Sequence, residues 1–379
     1  MTSLAMALVA VPASASGTTR WVDVDGKAGP SSCDDTTSAS TSIQSAVDAS
    51  GANDTVKVCS GSYTELVTIS GSRDGLTLTS VTSHGATIKG ATSTTYDTIT
   101  LMTITSVDDV TISGFSIRPR RANDASLCDW ANGIVATNAK GLSITGNQVT
   151  PIGSGAFCGV ADGIHASAGS TGTISDDSVT DYREEGIQLS GTGTDVSVDD
   201  NTVTFAQVGL DPSGGAAIRV DTGAKGHIHG NTVNGPASGP GSPEMPAAGI
   251  EFHDSAAGST IIGNTIARTA AGIDINGASG GIIKDNKVTG GQTAYDLHDG
   301  DDMSIHDNTT TAATFHGLGV GAGSRRNNVH DNDFRTNKNF TAKDCQGDSG
   351  TGTHNTWTNN KGNSSKPAVL CAKPRPPIH

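Results

Sequence analysis

Aromatic residues make up only 4% of this 379-residue chain, and no helical period persists along it, which argues against a fold of packed helices. Positive charge is also short: 24 Lys and Arg stand against 38 Asp and Glu, a formal net charge of -14. That balance argues against a nucleic-acid partner, since such partners are usually basic. It also disfavours loose attraction to a polyanion unless a bound cation or a local basic patch reverses the field. Beyond the first residues, no run approaches the roughly 20 apolar residues that span a bilayer. There is no CxxC or Cys/His spacing of a zinc site. The glycines fall at turns rather than in a phosphate loop, and no GxSxG or Ser/His/Asp arrangement sits in a strand-to-helix context.

What is abundant is Gly, at 49 residues, together with Ser, Thr, Asn and Asp. Many short strands joined by tight turns follow, an all-β chain. The start, MTSLAMALVAVPASASG, is an apolar stretch ending in small residues. It reads as a signal peptide over residues 1–15 that lacks a basic leading region, so a secreted, extracellular protein is expected. Six cysteines fall by proximity into Cys33 with Cys59, Cys128 with Cys158, and Cys345 with Cys371. Fifteen connectivities are formally open, neighbours are the simplest choice, and an oxidising exterior permits all three.

The chain repeats itself. SITGNQV, SVDDNTV, HIHGNTV, IIGNTI, IIKDNKV, SIHDNTT and NVHDNDF align on Asn147, Asn201, Asn231, Asn264, Asn286, Asn308 and Asn332, with Asp177 standing in once. Successive positions lie about 22 to 33 residues apart, the mark of a solenoid whose coils bury apolar faces on one another. A second phrase precedes each: GIVAT, GIHAS, GIQLS, AIRVD, GIEFH, GIDIN, AYDLH. Each coil is then three short strands with a sharp bend at Asn. Asn tolerates the left-handed backbone region, and stacked Asn side chains can hydrogen-bond along the array.

These coils resemble those of the right-handed parallel β-helix proteins of the pectin-lyase-like superfamily. SIQSAVDASGANDTVKVCSGSYTELVTI, residues 42–69, is similar to that superfamily's opening, a short helix capping the first coil and a Gly-x-Tyr-x-Glu turn after the first strand. The resemblance implies a single-domain right-handed parallel β-helix over residues 16–365 with a short N-terminal capping helix, followed by a tail at 366–379. It also implies a ligand groove along the first strand of each coil, walled by the loops after the third. Those loops are long over the middle coils, among them RPRRANDASLCDWAN, TPIGSGAFCGVAD, TDYREE, TFAQVGLDPSGGA and NGPASGPGSPEMPAA.

Strand alternation assigns the groove floor. With Ile134, Ile164, Ile187, Ile218, Ile250, Ile273 and Tyr295 inward, the outward positions read His165, Gln188, Arg219, Glu251, Asp274 and Asp296 in one column. Ser167, Ser190, Asp221, His253, Asn276 and His298 form the next. Coils stack about 4.8 Å apart, so like charges crowd unless a cation, proton or substrate compensates.

A long groove on an exported β-helix suits a polysaccharide substrate. One chemistry is β-elimination on a uronate polymer, in which Ca²⁺ or Arg neutralises the substrate carboxylate while a base removes the adjacent proton. Glu251, Asp274 and Asp296 are the expected Ca²⁺ ligands. Arg219, Asp221, Glu251, His253 and Asp274 are the expected catalytic set. Arg118, Arg120, Arg121 and Trp130 would pair with uronates or stack on a sugar, with His165, Gln188 and His298 also binding substrate. The alternative is hydrolysis by paired carboxylates, with Glu185 and Glu244 on the loops as acids of raised pKa. A non-catalytic glycan-binding or structural rod is the third reading. The chain matches neither the NTD, DD, GHG and RIK set of polygalacturonases nor the WIDH and RxPxxR motifs of classical pectate lyases, and the DPH motif of mannuronan epimerases is missing, so no catalytic residue transfers by family. Because Arg219 and Glu251 point outward, replacing either by Ala should spare thermal stability.

Overall fold

The computed structural model describes residues 17–90, 99–119, 131–150, 160–205, 215–235, 248–321, 323–336, 343–346, 355–363, 365–366 and 370–371. Among them the chain winds as a right-handed β-helix of three parallel sheets, of 13, 12 and 11 strands. The sheet of first strands runs from Val67–Ser70 to Ser365–Lys366 and includes Val160–Ser167, Tyr182–Ser190, Ala216–Asp221, Ala248–His253, Ala271–Asn276 and Thr293–His298. Its inward Ile134, Ile164, Ile187, Ile218, Ile250, Ile273 and Tyr295 are all fully buried. Each such side chain is worth about 1.5–3 kcal/mol of burial, so the inward phase is fixed by the stack of apolar rungs.

The Asn positions form a buried ladder. The backbone N–H and Nδ2 of Asn201 both donate to Oδ1 of Asn231, at 2.9 and 3.0 Å. Asn231 donates in the same way to Asn264, Asn264 to Asn286, Asn286 to Asn308, and Asn308 to Asn332. Each amide also reaches a strand carbonyl of a preceding coil, as Asn201 does with Ile174 O at 2.9 Å. The expectation that Asn itself takes the left-handed conformation is not met. The residue before it does: Gly146, Asp176, Asp200, Gly230, Gly263, Asp285, Asp307 and Asp331 all have φ between 56° and 70°. Gly and Asp enter that region at low cost, which leaves Asn free to turn inward and satisfy backbone groups that would otherwise be orphaned.

At the N-terminal end the helix Ile43–Asp48 covers the first coil. Glu65, closing the Gly-x-Tyr-x-Glu turn, accepts from the N–H groups of Ile43 and Gln44 and from the Ser42 hydroxyl. Cys33 is bonded to Cys59 and Cys345 to Cys371, with Cα separations of 5.7 and 6.1 Å. Cys128 and Cys158 lie outside the described residues, as do the segment 1–15 and the last eight residues. No helix among the described residues is long and apolar enough to cross a membrane.

Asp177 breaks the ladder's chemistry. It accepts from the Asn147 N–H and Nδ2 through Oδ1, but its buried Oδ2, where an Asn would carry a donor, has no partner. Burial pushes its carboxyl up to about 7, against a partial lowering by Asn147. The native state therefore holds a proton that the unfolded chain releases, and stability falls as pH rises from about 4 to about 7. Asp177→Asn should raise stability by about 1–3 kcal/mol above pH 7 and by much less near pH 4, as read from thermal unfolding at the two pH values.

Candidate active site

The register of the first-strand sheet sets the groove floor. Gln188, Arg219, Glu251, Asp274 and Asp296 pair in sequence across successive strands, and beside them Ser190, Asp221, His253, Asn276 and His298 do the same. The alternation breaks at Gly163 and Gly186, which face inward like the isoleucines that follow them. A Cβ on Gly186 would meet Val203 Cγ1 at 2.4 Å and Ala217 O at 2.6 Å. The break turns the preceding Asp162 and Glu185 toward the floor, where they are paired in register with each other. Glu185, expected on a loop, thus belongs to the strand Tyr182–Ser190, because the bend at Gly lets the strand start earlier than apolar alternation suggests.

Arg219 is the hub. Its Nε lies 3.0 Å from Asp221 Oδ2, and its Nη1 lies 3.4 Å from Glu185 Oε1 and 3.5 Å from Glu251 Oε2. Nη2 donates to His253 Nδ1 at 2.9 Å. Arg is always protonated, so Nδ1 accepts and the ring proton sits on Nε2, pointing away from the guanidinium. Asp221 is saturated: Gln188 Nε2 donates to Oδ2 at 3.0 Å and the Thr222 hydroxyl to Oδ1 at 2.9 Å. At 6% exposure it holds Arg219 in place from beneath.

Glu185 is the most perturbed carboxyl of the floor. Burial first, then the charge of Asp162 and a proton shared with it, raise Glu185 to about 8, against the pull of Arg219. Asp162 is 7% exposed and its Oδ1 finds no donor while both carboxyls are ionised. A proton on Glu185 supplies one. The other oxygen, Oδ2, lies 3.3 Å from His165 Nδ1, and His165 Nε2 lies 2.8 Å from the Ser190 hydroxyl. Oxygens of Asp162, Glu184 and Glu185 converge within 4.8 Å of one another.

Further along, burial and the flanking Asp296 and Glu251 raise Asp274 to about 6, and its Oδ1 is buried without a partner. Asp296 Oδ2 is 3.2 Å from Nε2 of the largely exposed His298. Arg118 ends the third-sheet strand Ser116–Arg118, exposed, away from the floor. Arg120, Arg121, Trp130 and Glu244, with most of the expected groove walls, lie outside the described residues. A concavity beside the capping helix, bounded by Trp21, Pro30, Ser45 and Lys57, holds no acid or histidine.

Asp162 was not singled out by sequence and Ser190 was placed on the floor without a role, yet a signal existed for the first. Asp162 and Glu185 occupy the same place, immediately before the Gly-Ile of successive coils. Arg219 also departs from expectation. It lies outside the core, but its removal strips the counter-charge from the enclosed carboxylates of Asp221 and Glu251 and a contact from Glu185. Breaking such a pair costs about 3 kcal/mol or more, so Arg219→Ala should lower the unfolding free energy by about that amount in denaturant titration, with Arg219→Lys recovering part of it.

Comparison with known proteins concerns the fold. The profile of the family described as "Right handed beta helix region" matches residues 56–266 and 210–364. No curated protein sequence matches the chain. The A-module of Azotobacter vinelandii mannuronan C-5 epimerase AlgE4 is similar at 15% identity and a TM-score of 0.58, over 89% of this chain and 93% of that one. Polygalacturonase from Erwinia carotovora ssp. carotovora gives 12% and 0.56, over 93% and 99%. The Dettilon tailspike protein gives 17% and 0.52, over 83% and 64%.

Proposed function

The chain belongs to the right-handed β-helix family, and on that scaffold we propose that it is a carbohydrate-active enzyme that hydrolyses glycosidic bonds of a polysaccharide lying along the first-strand sheet. The observation that carries this reading is Glu185, a buried carboxyl raised to about 8, facing Glu251 across one guanidinium nitrogen. Their contacts of 3.4 and 3.5 Å to Arg219 Nη1 keep the two oxygens within about 7 Å of each other. This compares with about 5–5.5 Å in retaining and about 6.5–9.5 Å in inverting glycosidases.

In this mechanism Glu185, protonated at neutral pH, gives its proton to the glycosidic oxygen as the bond to the sugar carbon breaks. Glu251 attacks that carbon or activates the attacking water from the other side. Arg219 holds both carboxyls in place, with Glu251 beside the developing positive charge of the sugar ring. Asp221 and His253 fix the guanidinium, and Gln188 fixes Asp221. The disulfides support work outside the cytoplasm, and the likeness of the fold to an epimerase module and a polygalacturonase supports a polymeric glycan as substrate.

Elimination on a uronate polymer is the second reading, favoured by the column Glu251, Asp274 and Asp296. Its like charges and the unpartnered Asp274 Oδ1 fit a hard cation such as Ca²⁺. When bound there, the cation would neutralise a uronate carboxylate. Arg219, already held by three carboxyls, is less suited to that task.

Incubation with a panel of polysaccharides, with and without Ca²⁺, separates the readings. Hydrolysis predicts new reducing ends without ultraviolet absorbance, whereas elimination predicts the absorbance of unsaturated ends. Glu185→Gln should lower the hydrolytic kcat about 100-fold or more. The wild-type rate should fall about tenfold per unit above pH 8, because the acid loses its proton there.

A further inference from the structure

The Asp162, His165 and Ser190 chain plays no part in glycosidic cleavage beyond the contact of Asp162 with Glu185. His165 Nε2 is 2.8 Å from Ser190 Oγ, and His165 Nδ1 is 3.3 Å from Asp162 Oδ2. A hydroxyl on one ring nitrogen and a buried carboxylate on the other is the arrangement that activates a serine nucleophile wherever it occurs, whatever the fold. Here it is assembled across two coils, from Val160–Ser167 and Tyr182–Ser190, and fixed by their register. Asp162 is turned toward the ring by the inward bend at Gly163 and is 7% exposed. Ser190 faces the groove, with Gln188 on the same face two residues earlier and Ser167 paired with it in register. Both carry side-chain donors able to meet a developing oxyanion.

We propose that Ser190, His165 and Asp162 form a second catalytic centre on the groove floor, an acyl-ester hydrolase that removes small neutral acyl groups such as acetyl from sugar hydroxyls. Ser190 Oγ attacks the acyl carbonyl carbon while its proton passes to His165 Nε2. The tetrahedral adduct expels the sugar oxygen, which takes that proton and leaves as a hydroxyl. Water then attacks the Ser190 ester, giving a proton to His165, and the acyl group leaves as a carboxylic acid with Ser190 regenerated. One ester and one water become one alcohol and one acid. Asp162 acts as a positioning residue, holding the Nδ1–H and stabilising the imidazolium. The surrounding carboxyls Asp162, Glu185 and Asp221 favour an uncharged acyl group over a free carboxylate. That the alcohol is a glycan rests on the function proposed above; the serine chemistry does not.

The test treats the full-length protein with diisopropyl fluorophosphate and maps the adduct by peptide mass spectrometry, with p-nitrophenyl acetate and O-acetylated xylan as substrates. The proposal expects an adduct on Ser190, acetate release from both substrates, and a loss of at least about 100-fold in kcat for Ser190→Ala and His165→Gln. Asp162→Asn should lower kcat with KM for the nitrophenyl ester unchanged, a split that general loosening of the strand would not give. Ser190→Ala should leave reducing-end release intact. An absent or misplaced adduct, or ester hydrolysis within twofold of wild type in Ser190→Ala, overturns the proposal even where reducing ends are still produced. Labelling of Ser190 with acetate release but no reducing ends from any polymer upholds it and removes the hydrolase reading instead.

Discussion

Parallel stacking in strict register is the constraint on which everything else rests. Each coil offers the next a row of backbone hydrogen bonds, an apolar rung and one buried Asn, and the three repeat at the same spacing. The ladder is more than decoration of a turn. From Asn231 to Asn332 each Asn accepts two hydrogen bonds from one neighbour at Oδ1 while its Nδ2 reaches the other neighbour's Oδ1 and a strand carbonyl, so a slip of one coil would orphan several buried groups at once. The same register that satisfies the interior aligns the exterior, and side chains far apart in sequence become neighbours on one sheet.

That alignment makes the exterior electrostatically expensive. Stacked acids cannot all stay ionised behind a low-dielectric floor, and the chain answers in three ways. Arg219 neutralises Asp221 and Glu251, a proton stays on Glu185, and Asp274 is pushed up between two like charges. A surface with no function could have avoided the cost with Ser and Thr, as the neighbouring second-strand sheet does at Ser143, Thr173 and Ser197. Groups whose pKa values are driven apart by their surroundings are those able to give and take protons at neutral pH.

Sequence carried the fold and the phase because both are written in period. Inward Ile and outward His, Arg and acid follow from alternation alone, and the columns derived from it pair in the structure at Gln188, Arg219, Glu251, Asp274 and Asp296. It failed where the period breaks. Asp162 and Glu185 stand before a Gly that bends inward, and alternation counted from the following Ile cannot see a residue beyond that bend. The left-handed position was placed one residue late, since the recurring Asn masks the plainer Gly or Asp before it. The sharing of Arg219 by three carboxyls was equally hidden, because side chains converge over distances that strand spacing does not specify. The long segments around Arg120, Trp130 and Glu244 have no repeat partner, so no period located them.

The central claim is that one carboxyl on the groove floor, that of Glu185, keeps its proton at neutral pH. Infrared difference spectra of the wild-type protein and Glu185→Gln, recorded between about pH 7 and pH 9 and bracketing the value of about 8, test it directly. The account predicts a protonated-carboxyl band that disappears over this range in the wild type and is missing from the variant. Superimposable difference spectra from the two proteins would contradict it.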